Sequence, residues 1–200
     1  MAYINTGIEE PGIVELLFYK GKTGKALSNL AHTLLHGPSG LTSGERELIA
    51  SYVSKLNNCN FCHNSHGAAA SEHLQDNGHT IQCIITDTDT APVSDKMKAL
   101  LQIASKVQRS GREVQKQDIL QARRAGATDE DIHDTVLIAA AFCMYNRYVD
   151  GLGTNEPEDK DEYNDVGERL ARKGYKYPPL FLRKLVIWWM KRQRAKKANR

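Results

Sequence analysis

A chain of 200 residues with 40% hydrophobic side chains can enclose one compact core, and its formal charge of +3 is unevenly placed. Of the 27 basic residues, eight lie in 183–200 beside no acid, leaving 19 against 24 acids over 1–182: an acidic body with a basic tail. The opening MAYINTGIEEPG has no apolar run behind a basic start and LVIWWM is too short to span a bilayer. These features argue against a secreted or membrane-spanning chain and lead us to expect a cytoplasmic one.

Apolar residues recur at helical spacing almost throughout, with no sustained strand-like alternation, which predicts an all-α fold. Leu27, Leu30, Ala31 and Leu34 form a first stripe, ended by HGPSG. Thr42 with Glu45 makes a capping box for a helix that turns Leu48, Ile49, Tyr52, Val53 and Leu56 inward and stops near Asn57. Asn58 is expected to cap the next helix, from Cys59 to about Asp76. A short apolar turn covers Ile81 to Ile85. Ser94 then opens a helix with Met97, Leu100, Leu101, Ala104 and Val107 inward, and a shorter one holds Ile119 and Ala122. The helix from Thr128 to about Asp150 is apolar all round and is expected at the centre or in a subunit interface. Beyond Gly153 the chain reads as a polar connector, followed by a basic C-terminal helix with Trp188 and Trp189. The boundaries are a helical domain over 1–155 and a connector with a basic tail over 156–200.

The segment CNFCHNSH, 59–66, carries the chemistry. Cys-x-x-Cys-His matches a haem attachment pattern, a zinc site or a redox dithiol. Four cysteines in a reducing compartment seldom form a structural framework, and haem is normally attached outside the cytoplasm. On a helix Cys59, Cys62 and His66 share one face, and at a helix start free N–H groups favour a thiolate. An ordinary thiol with a pKa near 8.5 is only about 3% ionised at pH 7, so such help decides whether it is a nucleophile. Proximity to the helix start nominates Cys59 as the activated thiol; His66, one turn after Cys62, could take the proton of Cys62 and reverse the order. Zinc would need a fourth ligand, His73 or Cys83, and three of its ligands would crowd onto one helix, whereas structural sites usually join distant segments. Glu47 has Ala50, Ser51 and Ser54 at helical spacing, small enough for another helix to close over it and leave a buried carboxylate that shuttles protons; the alternative is a solvated carboxylate beside Arg46.

Together, LTSGERELIASYVSKLNNCNFCHNSH and the later AAAFCMYNRYVDGLG resemble the alkylhydroperoxidase D and carboxymuconolactone decarboxylase superfamily, especially its peroxidase-related branch. The matching pattern is Glu47, eleven residues, Cys59-x-x-Cys62, three residues and His66, and the resemblance covers roughly 10–155. It implies a compact, all-helical homo-oligomer that reduces hydroperoxides without haem, metal or another resident cofactor. It also implies that Cys62 attacks the peroxide, Cys59 resolves, and Glu47 and His66 relay protons. The electron donor would be an external dithiol, of the lipoyl-bearing kind in some members. The better-known alkylhydroperoxidases have a His just before the second cysteine, where this chain has Phe61; His63 projects about 100° away from Cys62 and is no obvious substitute. The decarboxylases of the superfamily lack the cysteine pair.

The remaining candidates read as structural. His73 is expected to be packed, His79 to serve a helix terminus, and Cys83 and Cys143 to be core thiols. Asn146, Arg147 and Asp150 end the long helix and are expected in a polar network between subunits, the alternative being that Asn146 or Arg147 faces the dithiol; Tyr145 and Tyr148 could line either. The basic tail lacks a specific nucleic-acid motif; we expect its tryptophans to pack on a neighbouring subunit in preference to a membrane surface.

Overall fold

The computed structural model describes residues 2–157, 159 and 161–198, with side chains to 196. Among them are ten α-helices and no strand: α1 (Ile13–Tyr19), α2 (Gly21–His36), α3 (Ser43–Leu56), α4 (Asn60–Leu74), α5 (His79–Thr86), α6 (Asp95–Arg109), α7 (Lys116–Arg124), α8 (Asp129–Gly151), α9 (Glu162–Lys173) and α10 (Arg183–Ala198). None is long and apolar enough to cross a membrane.

The helix starts follow the side chains that satisfy their first N–H groups. Thr42 with Glu45 and Thr128 with Asp131 form complete capping boxes, and Ser94 accepts from the Met97 N–H. The core lies where α3, α6 and α8 meet: Leu48, Ile49, Val53, Leu100, Leu101, Ile103, Ile138 and Phe142 are all essentially excluded from solvent. Burying side chains of this size stabilises the fold by roughly 1.5–3 kcal/mol each before the entropy of ordering is counted. The long helix α8 is central as expected, with its inner face buried from Ile132 to Val149.

The start of α4 differs from the sequence expectation. Asn58 is left-handed (φ 59°), Cys59 N–H donates to the Ser54 carbonyl (3.0 Å) and Asn58 N–H to the Lys55 carbonyl (2.9 Å). This is a Schellman closure of α3, in which Asn58 ends one helix instead of starting the next. Cys59 itself becomes the N-cap of α4.

The stretch read as a polar connector contains α9, which packs along α4. Gly167 makes this possible: a Cβ there would stand 2.6 Å from the Ala68 Cβ and 2.9 Å from its carbonyl oxygen. The dithiol helix is therefore packed against both α3 and α9. After α9 the chain returns over α1 and α2. Arg183 donates to the Phe18 (2.6 Å) and Tyr19 (2.7 Å) carbonyls at the end of α1, and the Tyr177 ring stacks on Phe18. Arginine there satisfies carbonyls that have no partner inside their own helix.

Candidate active site

Glu47 reaches the site from the middle of α3 with no solvent exposure, because Ala50, Ser51 and Ser54 let α4 close over that face. The solvated alternative is thus ruled out. Arg46 turns the other way and donates to the Leu34 and Gly37 carbonyls, both at 2.9 Å. Across the α3–α4 contact, His66 Nδ1 lies 2.7 Å from Glu47 Oε2. With a carboxylate at that distance, Nδ1 carries a proton and Nε2 is the nitrogen free to exchange one. The imidazole is fixed by the edge of Phe142, its ring centroid 4.5 Å away and nearly perpendicular.

Cys59 and Cys62, at the N-cap and third positions of α4, are both buried and both free thiols. Their environments push them apart. The Cys59 thiol donates to the Cys62 sulfur, so its own ionisation is driven far up by that bond, then by burial, with the Asp150 carboxylate adding to the effect. The same bond is the main reason that Cys62 titrates below the usual thiol range. Burial opposes this, while the His66 charge and a hydrogen bond from Asn146 reinforce it. Two thiols with opposed shifts mark one as nucleophile and the other as the thiol that attacks later.

Asn146 is therefore a site residue, against the expected intersubunit role. It has no solvent exposure; its Oδ1 accepts from Asn57 Nδ2 (2.8 Å) and its Nδ2 donates to Ser54 Oγ (3.0 Å). Arg147 stays exposed and donates to the Cys143 carbonyl of its own helix. Phe61 lies among apolar contacts, its ring 6.1 Å from that of Tyr163, in a small cluster that also holds both cysteines and Val149. His63 is tied to Ser51 through Oγ (2.9 Å) and the carbonyl (3.2 Å), away from the relay. His73 packs against His36. Cys83 and Cys143 are half-buried instead of fully in the core. Among the described residues, no three His, Cys, Asp or Glu side chains are placed to hold a metal ion together.

Two residues were missed in the sequence. Tyr163 of α9 is buried beside the dithiol. Tyr175, in the segment after α9, donates its hydroxyl to Glu47 Oε1 (2.6 Å), and the hydroxyl oxygen itself lies 3.1 Å from His66 Nδ1. Burial, followed by the Glu47 charge, holds the Tyr175 phenol well above its ordinary range, so it is a donor at any physiological pH. A signal existed for the first: Tyr163, Val166, Gly167 and Leu170 follow one helical stripe. For Tyr175 there was none, since it lies in an irregular stretch between Gly174 and Pro178.

The carboxymuconolactone decarboxylase family model matches residues 21–106. A peroxidase-related protein from Silicibacter sp. TM1040 is similar in structure with a TM-score of 0.69 and 27% identity, over 77% of this chain and 78% of that one. A peroxidase-related protein with an alkylhydroperoxidase AhpD core, from Ralstonia eutropha JMP134, is similar with a TM-score of 0.70 and 27% identity, over 78% and 80%. Both are described as uncharacterized. A search of curated proteins returns no significant match.

Proposed function

Because the chain belongs to the carboxymuconolactone decarboxylase and alkylhydroperoxidase D-like superfamily, on its peroxidase-related branch, we propose that it is a thiol peroxidase working through Cys59 and Cys62. The observation that carries this reading is the placement of two buried free thiols at the N-cap and third positions of α4, on the helix whose His66 pairs with the buried Glu47 at 2.7 Å; the opposed directions of their titration agree with it.

In the first step the Cys62 thiolate attacks the terminal oxygen of a hydroperoxide. A sulfur–oxygen bond forms, the O–O bond breaks, and the departing oxygen leaves as an alcohol, or as water from hydrogen peroxide, after taking a proton from the His66–Glu47 relay. The sulfur of Cys62 is oxidised to a sulfenic acid by two electrons. Cys59, held one helical turn away, then attacks that sulfur; water leaves, carrying the sulfenic oxygen and the Cys59 proton, and a disulfide remains. An external dithiol, of the lipoyl type or similar, returns the pair to the reduced form by exchange and is itself oxidised. This chemistry draws its electrons from the dithiol alone and needs no resident cofactor. Keeping Cys59 protonated until the sulfenic acid forms prevents two thiolates from competing for one desolvated site.

The test is intact mass before and after one equivalent of an organic hydroperoxide. Disulfide formation lowers the mass by about 2 units. It should occur in the wild type and be absent from Cys62→Ser and Cys59→Ser, with a sulfenic adduct trapped only in Cys59→Ser. An unchanged mass with both thiols free would leave a non-catalytic helical interaction protein as the better reading.

A further inference from the structure

We infer that Tyr175, supplied by the segment beyond α9, is a positioning residue for the Glu47–His66 relay: its hydroxyl occupies one oxygen of the buried carboxylate and so fixes the other against His66 Nδ1, beside Cys62. The inference rests on the peroxidase reading for its purpose, though not for its test.

The geometry is that of a three-member network. Glu47 receives the Tyr175 hydroxyl on Oε1 at 2.6 Å and faces His66 Nδ1 with Oε2 at 2.7 Å, so each carboxylate oxygen has one donor. The Tyr175 ring also lies nearly parallel to the imidazole, 16° apart with centroids at 5.7 Å, which restrains its orientation. Gly174 places the tyrosine: it is left-handed (φ 64°), and a Cβ there would meet His32 Nδ1 at 2.5 Å, so only glycine lets the chain cross that ring. His32 Nδ1 in turn accepts from the Tyr175 N–H at 3.3 Å. The site therefore has its own locating contacts on α2 as well as the clamp of Arg183 on α1.

A carboxylate without solvent contact tolerates its charge only when its oxygens are paired. Removing the phenol hydroxyl leaves Oε1 without a donor. The carboxylate is then held on one side only and His66 is no longer fixed. Cys62 loses part of the His66 charge that helps to hold its thiolate, and its titration moves up. The other ionisable groups around this network are Arg46 on α3, Cys59, His63 and His73 at the start of and along α4, His32 and His36 on α2, Asp150 on α8, and Tyr163 and Arg169 on α9. None of them donates to Glu47, so none replaces the lost bond. Tyr175 lies outside residues 21–106, the stretch that the family model matches, and reaches Glu47 from a later part of the chain. The position of Phe61, packed on Tyr163 away from the relay, leaves Tyr175 as the third member.

The experiment is the pH dependence of Cys62 alkylation in the full-length reduced protein, read by peptide mass, for wild type, Tyr175→Phe and Tyr177→Phe. Tyr177 donates to the Leu17 carbonyl (3.3 Å) and serves as a control for loosening the same segment. A hydrogen bond to a charged group corresponds to a shift of roughly one to two pH units. The alkylation midpoint should rise by about one unit in Tyr175→Phe and stay unchanged in Tyr177→Phe. In a Glu47→Gln background, adding Tyr175→Phe should produce no further shift, since the hydroxyl acts through that carboxylate. Midpoints that coincide in wild type and Tyr175→Phe would overturn the inference, as would equal shifts in Tyr175→Phe and Tyr177→Phe. Nitrogen NMR of the wild-type imidazole gives a reading that needs no variant: His66 must carry its proton on Nδ1, and a tautomer protonated only on Nε2 would refute the network even if Tyr175→Phe failed to fold. If the wild type consumes no hydroperoxide while the alkylation shift appears, the peroxidase reading fails and the positioning role stands.

Discussion

At the scale of single residues, the site is a problem of distributing one negative charge between two buried sulfurs. Cys62 holds it because it receives donors from Cys59 and Asn146 and faces His66, whereas Cys59 faces Asp150. Asn146 is the informative position, since its three polar contacts join α3, α4 and α8 at one point. Asn146→Ala should move the Cys62 alkylation midpoint upward by roughly one unit, because a thiolate that loses a donor in a desolvated site is harder to form. The direction follows from the acid form being neutral: whatever stabilises the thiolate lowers the midpoint, and its removal raises it. The same change takes one bond each from Asn57 Nδ2 and Ser54 Oγ, which keep the Cys143 sulfur and the Ala50 carbonyl, and should cost about 1 kcal/mol per lost bond in urea unfolding. A midpoint unmoved by Asn146→Ala would assign the asparagine to packing alone. Its side chain was legible in the sequence as a polar residue on an apolar helix. What no spacing rule gave was the direction in which α8 turned it.

At the scale of elements, local signals were read well where a side chain meets its own backbone and poorly where one helix must be placed against another. Thr42 and Glu45 announced α3 through a reciprocal bond that lies within four residues. Asn58 was misread because an asparagine that can cap a helix start can equally take the left-handed turn that ends one, and the choice depends on the Ser54 and Lys55 carbonyls it must close. The helix α9 escaped notice because a strongly polar composition outweighed the stripe of Tyr163, Val166, Gly167 and Leu170. Gly167 is where that stripe touches the site, and it supplies a direct test. Gly167→Leu must push α9 away from Ala68, since the obstructing atoms include backbone that cannot rotate aside. Overpacking of this kind costs roughly 1–3 kcal/mol. A lower urea midpoint should therefore accompany faster alkylation of Cys62 by an uncharged reagent, as Tyr163 is drawn back from the dithiol. Gly151→Ala, on a helix end with nothing within 4 Å, should change neither. Equal behaviour of the two variants would mean that α9 does not cover the thiols in solution.

At the scale of the whole molecule, the structure resolves how an apolar helix can be central and still leave surface to spare. The inner face of α8 is consumed by the core, yet Leu137 and Met144 remain 39% and 43% exposed. With Tyr148 they recur at seven and four residues, one stripe along the outer face, and Met144 and Tyr148 line a groove with Leu27 and Tyr145. The basic C-terminal helix carries a second apolar surface, with Trp188 and Trp189 each 55% exposed and Arg192 over the Trp188 ring. The sequence expectation of a homo-oligomer thus has two candidate faces, and they make different predictions. Light scattering should give a mass above the 22.4 kDa of one chain. If the outer stripe of α8 forms the contact, Met144→Glu returns the mass to one chain, because an unpaired carboxylate in a closed apolar interface is strongly unfavourable. The same substitution has little effect on the monomer fold, its side chain being already open to water. If the tail forms the contact, Trp188→Ala with Trp189→Ala dissociates the assembly and Met144→Glu does not. A mass of one chain for the unaltered protein at micromolar concentration would remove the oligomer, and with it any need for a second copy in the chemistry, since the Glu47, Cys59, Cys62, His66, Asn146 and Tyr175 contacts all close within one chain.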